Sequence, residues 1–315
     1  MSVLRSREEL RAALGEEAPG LVPTMGALHE GHLALIRRSA EENARTVVSV
    51  FVNPTQFGDP ADLARYPRDL VRDAVLAAEA GADLVFAPPV ETIYPQGFAT
   101  SVEVAGLTDR WEGAARPGHF RGVATVVTIL LNLVRPARSY FGEKDYQQLV
   151  VVRRLHADLK LPGTIVGCPT VRDHDGLAMS SRNVRLSPEE RARAAAVPRA
   201  LFRMAGLGAA GEHDAERLIE AGAEELGAAV SRSGASGLAT GRPHRVAPTK
   251  RSPIQSRVVT DVGGVPGLVT EYLAVVDGES LEPVATVRAG ARVLVAVRLG
   301  GVRLIDNVAL SPTGA

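Results

Sequence analysis

Four short segments of the chain gather side chains able to hold anions or to hydrogen-bond small polar ligands. The first is Pro23-Thr24-Met25-Gly26-Ala27-Leu28-His29-Glu30-Gly31-His32. Its small residues let a backbone approach a ligand closely. The helix expected to follow presents unpaired N–H groups and a positive dipole end, which attract anions. His29 and His32 lie three apart and so share one face of the first turn. An imidazole there, neutral or protonated, can donate to phosphate oxygens and stabilise charge developing on them. A surface pair or a partial metal site would explain the same two histidines, but no third ligand lies nearby in sequence, which argues against zinc.

The second segment, Val52-Asn53-Pro54-Thr55-Gln56-Phe57-Gly58, follows a β-branched run. Its amides, Asn53 and Gln56, can bind hydroxyls or carboxylates without adding charge; the alternative is an ordinary Asn-Pro turn. The third is Phe141-Gly142-Glu143-Lys144-Asp145-Tyr146-Gln147-Gln148. Lysine occurs only at 144, 160 and 250 while arginine covers the surface, so Lys144 at a strand-to-helix junction suggests a compact cation kept for phosphate. Asp145 is either a helix cap or an acceptor for a ribose hydroxyl. The fourth, Leu177-Ala178-Met179-Ser180-Ser181-Arg182, puts two hydroxyls beside a guanidinium, a combination that clamps phosphate but also arises by chance. Gly-Lys occurs nowhere, so a Walker-A loop is excluded, and GxSxG and CxxC are missing too.

The elements that must position these segments alternate. Strands are expected at Gly20–Pro23, Thr46–Val52, Ala82–Ala87, Ser139–Gly142 and Thr164–Val171. Helices are expected over about Gly31–Ala44, Pro67–Ala80, Gly122–Val134 and Asp145–Asp158. This alternation predicts an α/β fold with a Rossmann-like parallel sheet, and such sheets bind ligands at their strands' carboxyl ends. After about 172 the pattern changes to Ala-rich helices and then strands at Leu268–Val276, Arg292–Arg298 and Val302–Ala309. Two domains follow: residues 1–172 as the catalytic domain, and 173–315 as a smaller α+β lid carrying the Met179–Arg182 loop. Residues 231–266, rich in Gly, Ser, Pro and Arg, read as a flexible insertion with little to bury.

Composition narrows the class. The 315 residues carry 36 basic and 36 acidic side chains, so no global field draws the chain to nucleic acid or membrane. The charged N-terminus has no apolar core of a secretory signal, and the longest apolar stretch is broken by Thr125, Thr128 and Asn132. The single cysteine, Cys168, excludes an internal disulfide. A cytoplasmic location is the expectation.

Taken together, PTMGALHEGH, FVNPTQFG, YPRDL, HFRGVATVV, FGEKDYQQL, DGLAMSSRN and the terminal RLIDNVAL resemble the pantothenate synthetase family in order and spacing. Within the wider superfamily His29-Glu30-Gly31-His32 resembles the HxGH signature, and AMSSR the mobile KMSKS-type loop. The resemblance implies an AMP-forming ligase that activates pantoate with ATP and magnesium as pantoyl-adenylate, then transfers the acyl group to β-alanine. It implies His32, with His29 and Lys144, as the catalytic groups. It implies a nucleotide site formed by Met25, Gly26, Ala27, Leu28, His29, Glu30, Gly31, His32, Gly142, Glu143, Lys144, Asp145, Val171, Met179, Ser180, Ser181 and Arg182. Gln56 and Gln148 would bind pantoate, Gln56 also lying near β-alanine, and Asp73 would touch magnesium. A homodimer is implied as well. Two rivals remain: a nucleotidyltransferase that leaves AMP on a phosphate acceptor, and a catalytically silent nucleotide-binding module.

Overall fold

A computed structural model describes residues 2–227, 265 and 267–311. The chain divides into a first unit, residues up to 174 together with 178–184, and a second formed by 175–177 and 185 onward. The Met179–Arg182 loop, expected on the second domain, therefore belongs with the first. An isolated bridge between Arg172 and Ala178 and the Met179 N–H to Val171 C=O bond of 3.0 Å tie it there. The expected insertion 231–266 lies, Val265 apart, outside the described residues.

The first unit is built on six parallel strands: β1 (Ser2–Leu4), β2 (Gly20–Thr24), β3 (Thr46–Val50), β4 (Leu84–Phe86), β5 (Arg138–Gly142) and β6 (Thr164–Cys168). Their spatial order is β1-β4-β3-β2-β5-β6. Both faces are covered, so the inner strands are nearly all apolar and alternate in the side they serve. Leu21, Val47 and Phe86 join Leu10, Val127 and Leu149 of one layer, while Val22, Val48 and Val85 join Ile36 and Ala77 of the other. The helix His119–Val134 is buried on most sides, as its predominantly apolar character requires.

The expected strands and helices are present, with shifted ends. The strand expected to reach Val171 stops at Cys168, where Pro169 has no N–H to continue the ladder. The helix expected from Pro67 starts at Leu70, because the Asp69 side chain accepts from the Arg72 N–H and caps it there. The edge strand β1 and the helix Arg7–Leu14 were not anticipated. Three residues give too short an alternation to read, and the helix is started by a Ser6/Glu9 capping box.

The second unit pairs β7 (Leu268–Val276), β8 (Arg292–Leu299) and β9 (Val302–Ala309) as an antiparallel meander. The helices Ala196–Ala209 and Ala215–Leu226 bury Leu201, Met204 and Leu218 in the same core as Leu273, Val295 and Val297 of the sheet.

One close approach fixes the geometry that matters below. The backbone of Gly122 lies against the turn Pro54–Gln56, where a Cβ would stand 2.5 Å from the Thr55 carbonyl oxygen. Both partners are backbone, so neither can swing away. Gly122→Ala is expected to destabilise the first unit by about 1–3 kcal/mol despite the better helix propensity of Ala. A denaturant midpoint equal to or above that of the parent would contradict this packing.

Candidate active site

The order β4-β3-β2-β5-β6 reverses the direction of chain progression between β2 and β5, which makes that junction the switch point where α/β sheets bind ligands. The pairing of these two strands is short. It covers only Gly20↔Arg138 and Leu21↔Ser139, whereas β2 pairs with β3 to Thr24 and β5 with β6 to Gly142. Beyond Leu21 the two halves of the sheet are no longer bonded to each other. A cavity opens there, walled by Pro23 and Thr24 on one side and Tyr140, Phe141 and Gly142 on the other.

At its rim the chain leaves β2 through a tight turn in which Gly26 and Ala27 have φ of +78° and +51°. It enters the helix Glu30–Glu42 with His29 as N-cap. The His29 Nδ1 accepts from the Gly31 N–H at 3.2 Å, and the His32 Nδ1 accepts from the His29 N–H at 3.4 Å, a capping box made of two imidazoles. With both Nδ1 atoms accepting, the neutral rings carry their protons on Nε2. The ring centroids are 4.1 Å apart. Burial, then the neighbouring Lys144, lowers the His29 pKa; burial, then His29, takes His32 down to about 3. Both rings are therefore neutral hydrogen-bond donors near pH 7.

β5 delivers the opposing groups. The Lys144 Nζ sits 3.6 Å from the Asp145 Oδ1 in a turn that leads into the helix Tyr146–Asp158. Burial works against the Asp145 charge, but Lys144, Arg182, His119 and His32 outweigh it and hold the carboxyl below its ordinary range. Val171, Met179, Ser180, Ser181 and Arg182 complete this wall, with Arg182 also 3.5 Å from Asp62.

The other end of the cavity is amide-rich and apolar. Asn53 donates to the Gln56 Oε1 at 3.0 Å and to the Gly122 carbonyl at 3.1 Å, and the Gln56 Nε2 lies 3.0 Å from the Met25 Sδ. His119 Nδ1 and Arg116 hold the Gln56 carbonyl at 2.9 and 3.3 Å. Burial, then Arg116, takes the His119 pKa to about 4. Gln148 lines the cavity, whereas its neighbour Gln147 accepts from the Glu112 N–H and donates to the Leu107 and Arg110 carbonyls. Phe51, Val123, Val126, Val127 and Leu130 supply the apolar surface.

Of the expected site residues, Met25, His29, Gly31, His32, Gln56, Gly142, Lys144, Asp145, Gln148, Val171, Met179, Ser180, Ser181 and Arg182 line this one cavity. Gly26, Ala27, Leu28, Glu30, Glu143 and Asp73 are not on its wall. Leu28 is core, Glu30 pairs with Arg37, and the Gly26 N–H is taken up by the Thr24 Oγ. Asp73, expected at magnesium, is 1% exposed and accepts from the Ala27 and Leu28 N–H groups at 2.9 and 2.8 Å. Both of its oxygens thus face the loop backbone. Arg116, His119 and Tyr66 were not singled out in the sequence. They sit in the HFRGVATVV and YPRDL neighbourhoods, but an isolated Arg, His or Tyr there looks like any surface or core residue. Among the described residues no cluster of three His, Cys, Asp or Glu could hold a metal ion.

The sequence matches the family model for pantoate-beta-alanine ligase over residues 2–309. It is 51% identical to the pantothenate synthetase of Thermus thermophilus over 99% of this chain and 100% of that one. It is 50% identical to that of Deinococcus radiodurans over 93% of each. A crystal structure of the Thermus thermophilus enzyme superposes with a TM-score of 0.85 at 50% identity, covering 99% of this chain and 100% of that one. A pantoate-beta-alanine ligase from Francisella tularensis, complexed with a β-γ ATP compound and β-alanine, superposes with a TM-score of 0.71 at 29% identity, covering 98% and 97%.

The half-buried imidazole of His32 and the buried one of His119 make a pH prediction. An unfolded chain takes up a proton on each histidine near pH 6.5, whereas His32 and His119 in the fold resist protonation until about 3 and about 4. Stability from this source is complete above about pH 6.5 and falls as the pH drops, on the order of 1–2 kcal/mol for both together at pH 5 once partial exposure is allowed for. In NMR titrations of the ligand-free protein, neither ring is expected to titrate between pH 5.5 and 8. A midpoint near 6.5 for either would contradict the burial described.

Proposed function

The chain belongs to the pantoate–β-alanine ligase family and joins pantoate to β-alanine at the expense of ATP; we propose that it does so through a pantoyl-adenylate formed in the cavity between β2 and β5. The observation that carries this reading is the convergence of two neutral imidazoles, Lys144 and the Ser180-Ser181-Arg182 loop on one wall, with amides and an apolar surface on the other. The first set suits a triphosphate, the second a small branched hydroxy acid.

A carboxylate is a poor electrophile, so it must first gain a leaving group. In the first step a pantoate carboxylate oxygen attacks the α-phosphorus, and the bond to the bridging oxygen of pyrophosphate breaks. In the second the β-alanine amine attacks the acyl carbon, loses a proton, and AMP departs. A carboxylate nucleophile needs no general base. The work left to the protein is to place the two reactants and stabilise the charge that builds on phosphate. His29 and His32 would donate from Nε2, Lys144 would add a full positive charge, and Ser180, Ser181 and Arg182 would hold the outer phosphates. Gly142 and Asp145 would meet the nucleoside, and the backbone at Val171 the adenine. Gln56 and Gln148 would bind pantoate, whose methyl groups fit the surface formed by Val123, Val126 and Val127.

Magnesium enters this scheme as part of the MgATP substrate. The cavity wall offers a single carboxylate, Asp145, which matches an ion carried mainly on phosphate oxygens and water. Kinship supports a homodimer built through the first unit, and the expected role of the second unit as a lid is part of the same proposal. A cytoplasmic location is proposed too; among the described residues no helix is long and apolar enough to cross a membrane.

The direct test is AMP release from MgATP and D-pantoate with and without β-alanine. Release that requires both organic substrates is expected. Pyrophosphate formed with pantoate alone, but no amine-dependent AMP, would break the assignment of the second substrate, and no ATP turnover would leave a silent nucleotide-binding module. Within that assay His32→Ala and Lys144→Ala are each expected to slow pantoate-dependent pyrophosphate formation ~10²-fold, while amine attack on supplied adenylate slows less. Equal damage to both steps would remove the division of labour assigned to these residues.

A further inference from the structure

The turn that carries the imidazole pair is not self-supporting. Gly26 and Ala27 are consecutive residues of positive φ, +78° and +51°, and for Ala27 that conformation costs on the order of 1 kcal/mol or more. Such a backbone persists only where its surroundings hold it. Three consecutive N–H groups, of Gly26, Ala27 and Leu28, point away from solvent, and each has an acceptor inside the protein. Gly26 donates to the Thr24 Oγ at 3.2 Å, and that hydroxyl in turn donates to the Ser49 carbonyl at 2.7 Å. Ala27 and Leu28 donate to the two oxygens of Asp73, one each, at 2.9 and 2.8 Å.

Asp73 projects from the helix Leu70–Glu79, a separate element 45 residues further along the chain, and is 1% exposed. Its carboxylate packs so closely on the turn that a Cβ on Gly26 would lie 2.7 Å from the Oδ2. A buried carboxylate normally needs a compensating donor set, and here two backbone N–H groups supply it. A hydrated magnesium ion would require open oxygens, and the enclosure of this side chain offers none. We infer that Asp73 is a positioning residue for the reaction: it locks the Gly26–Leu28 turn and so sets where Met25, His29 and His32 stand in the cavity. This rests on the adenylation reading given above. It replaces the expectation of a magnesium contact at this position.

The test compares Asp73→Asn with the parent protein. Asn is isosteric, but it turns one of the two acceptors into a donor facing an N–H. Two readouts separate the brace from other roles. In hydrogen–deuterium exchange of the ligand-free protein, peptides spanning residues 24–32 are expected to lose protection about 10-fold or more, while peptides of β7–β9 keep theirs. In pantoate-dependent pyrophosphate formation at saturating MgATP, kcat per folded molecule is expected to fall about 10- to 100-fold, because small misplacements of catalytic groups cost that much. The magnesium concentration giving half-maximal rate should not move.

Unchanged exchange in 24–32, or an unchanged kcat per folded molecule, would overturn the inference. So would recovery of the rate at high magnesium, which would mark a metal ligand. If the parent itself made no pyrophosphate, the adenylation reading would fall, and the exchange experiment would still decide whether Asp73 braces the turn. Should the Asn variant not fold, Thr24→Val removes the acceptor at the other end of the same turn. It is then expected to show the same loss of protection and of kcat, to a smaller degree, and the absence of both would count against the brace.

Discussion

The first unit depends on one limited piece of pairing, the two-residue ladder between β2 and β5. A longer ladder would close the sheet and leave no room for a ligand; none at all would let its two halves separate. Because the bonding stops at Leu21 and Ser139, each strand runs on attached only to its outer neighbour. Their carboxyl ends present Met25, His29 and His32 from one side and Gly142, Lys144 and Asp145 from the other. Imidazoles and lysine thus face each other across a gap whose walls are ordinary sheet. The precision comes from packing in the two flanking cores, where Val22, Ile36 and Tyr140 on one face and Leu21, Val127 and Leu149 on the other have essentially no exposure or only a few per cent.

That geometry also decides the protonation of the site. Two imidazoles 4.1 Å apart, partly withdrawn from water and near Lys144, cannot readily take on further positive charge. They are held as donors by the backbone of the very helix they start. This suits phosphoryl chemistry with a carboxylate nucleophile, where hydrogen bonds to oxygen are needed and proton abstraction is not. The amide end is built on the same plan. Asn53, His119 and Arg116 fix Gln56 through its side chain and its carbonyl, so that a neutral group is presented without adding charge.

Much of this was legible in the sequence. The alternation of β-branched runs with amphipathic segments placed five of the six parallel strands, and β7 and β9 fell on the expected residues, because those signals are local. The motif segments at the ends of β2, β3 and β5 converge on the cavity, since a parallel sheet puts all carboxyl ends on one edge. What escaped was set by long-range packing. Nothing near Asp73 announces that its oxygens meet the turn at Ala27 and Leu28, and its place after YPRDL suggested a metal instead. Likewise the small residues of the Pro23–His32 segment suggested close backbone approach to a ligand, whereas the N–H groups of Gly26, Ala27 and Leu28 turn inward. His119 and Arg116 act through the carbonyl of a residue about 60 positions away, a relation no spacing rule expresses.

The central claim is that the cavity between β2 and β5 activates pantoate by attack of its carboxylate on the α-phosphorus of ATP. The measurement that tests it most directly is the fate of oxygen-18 from carboxylate-labelled pantoate after complete turnover with MgATP and β-alanine. The account predicts one labelled oxygen in the phosphate of AMP and none in pyrophosphate. Label in the pyrophosphate, or unlabelled AMP formed alongside pantothenate, would contradict it.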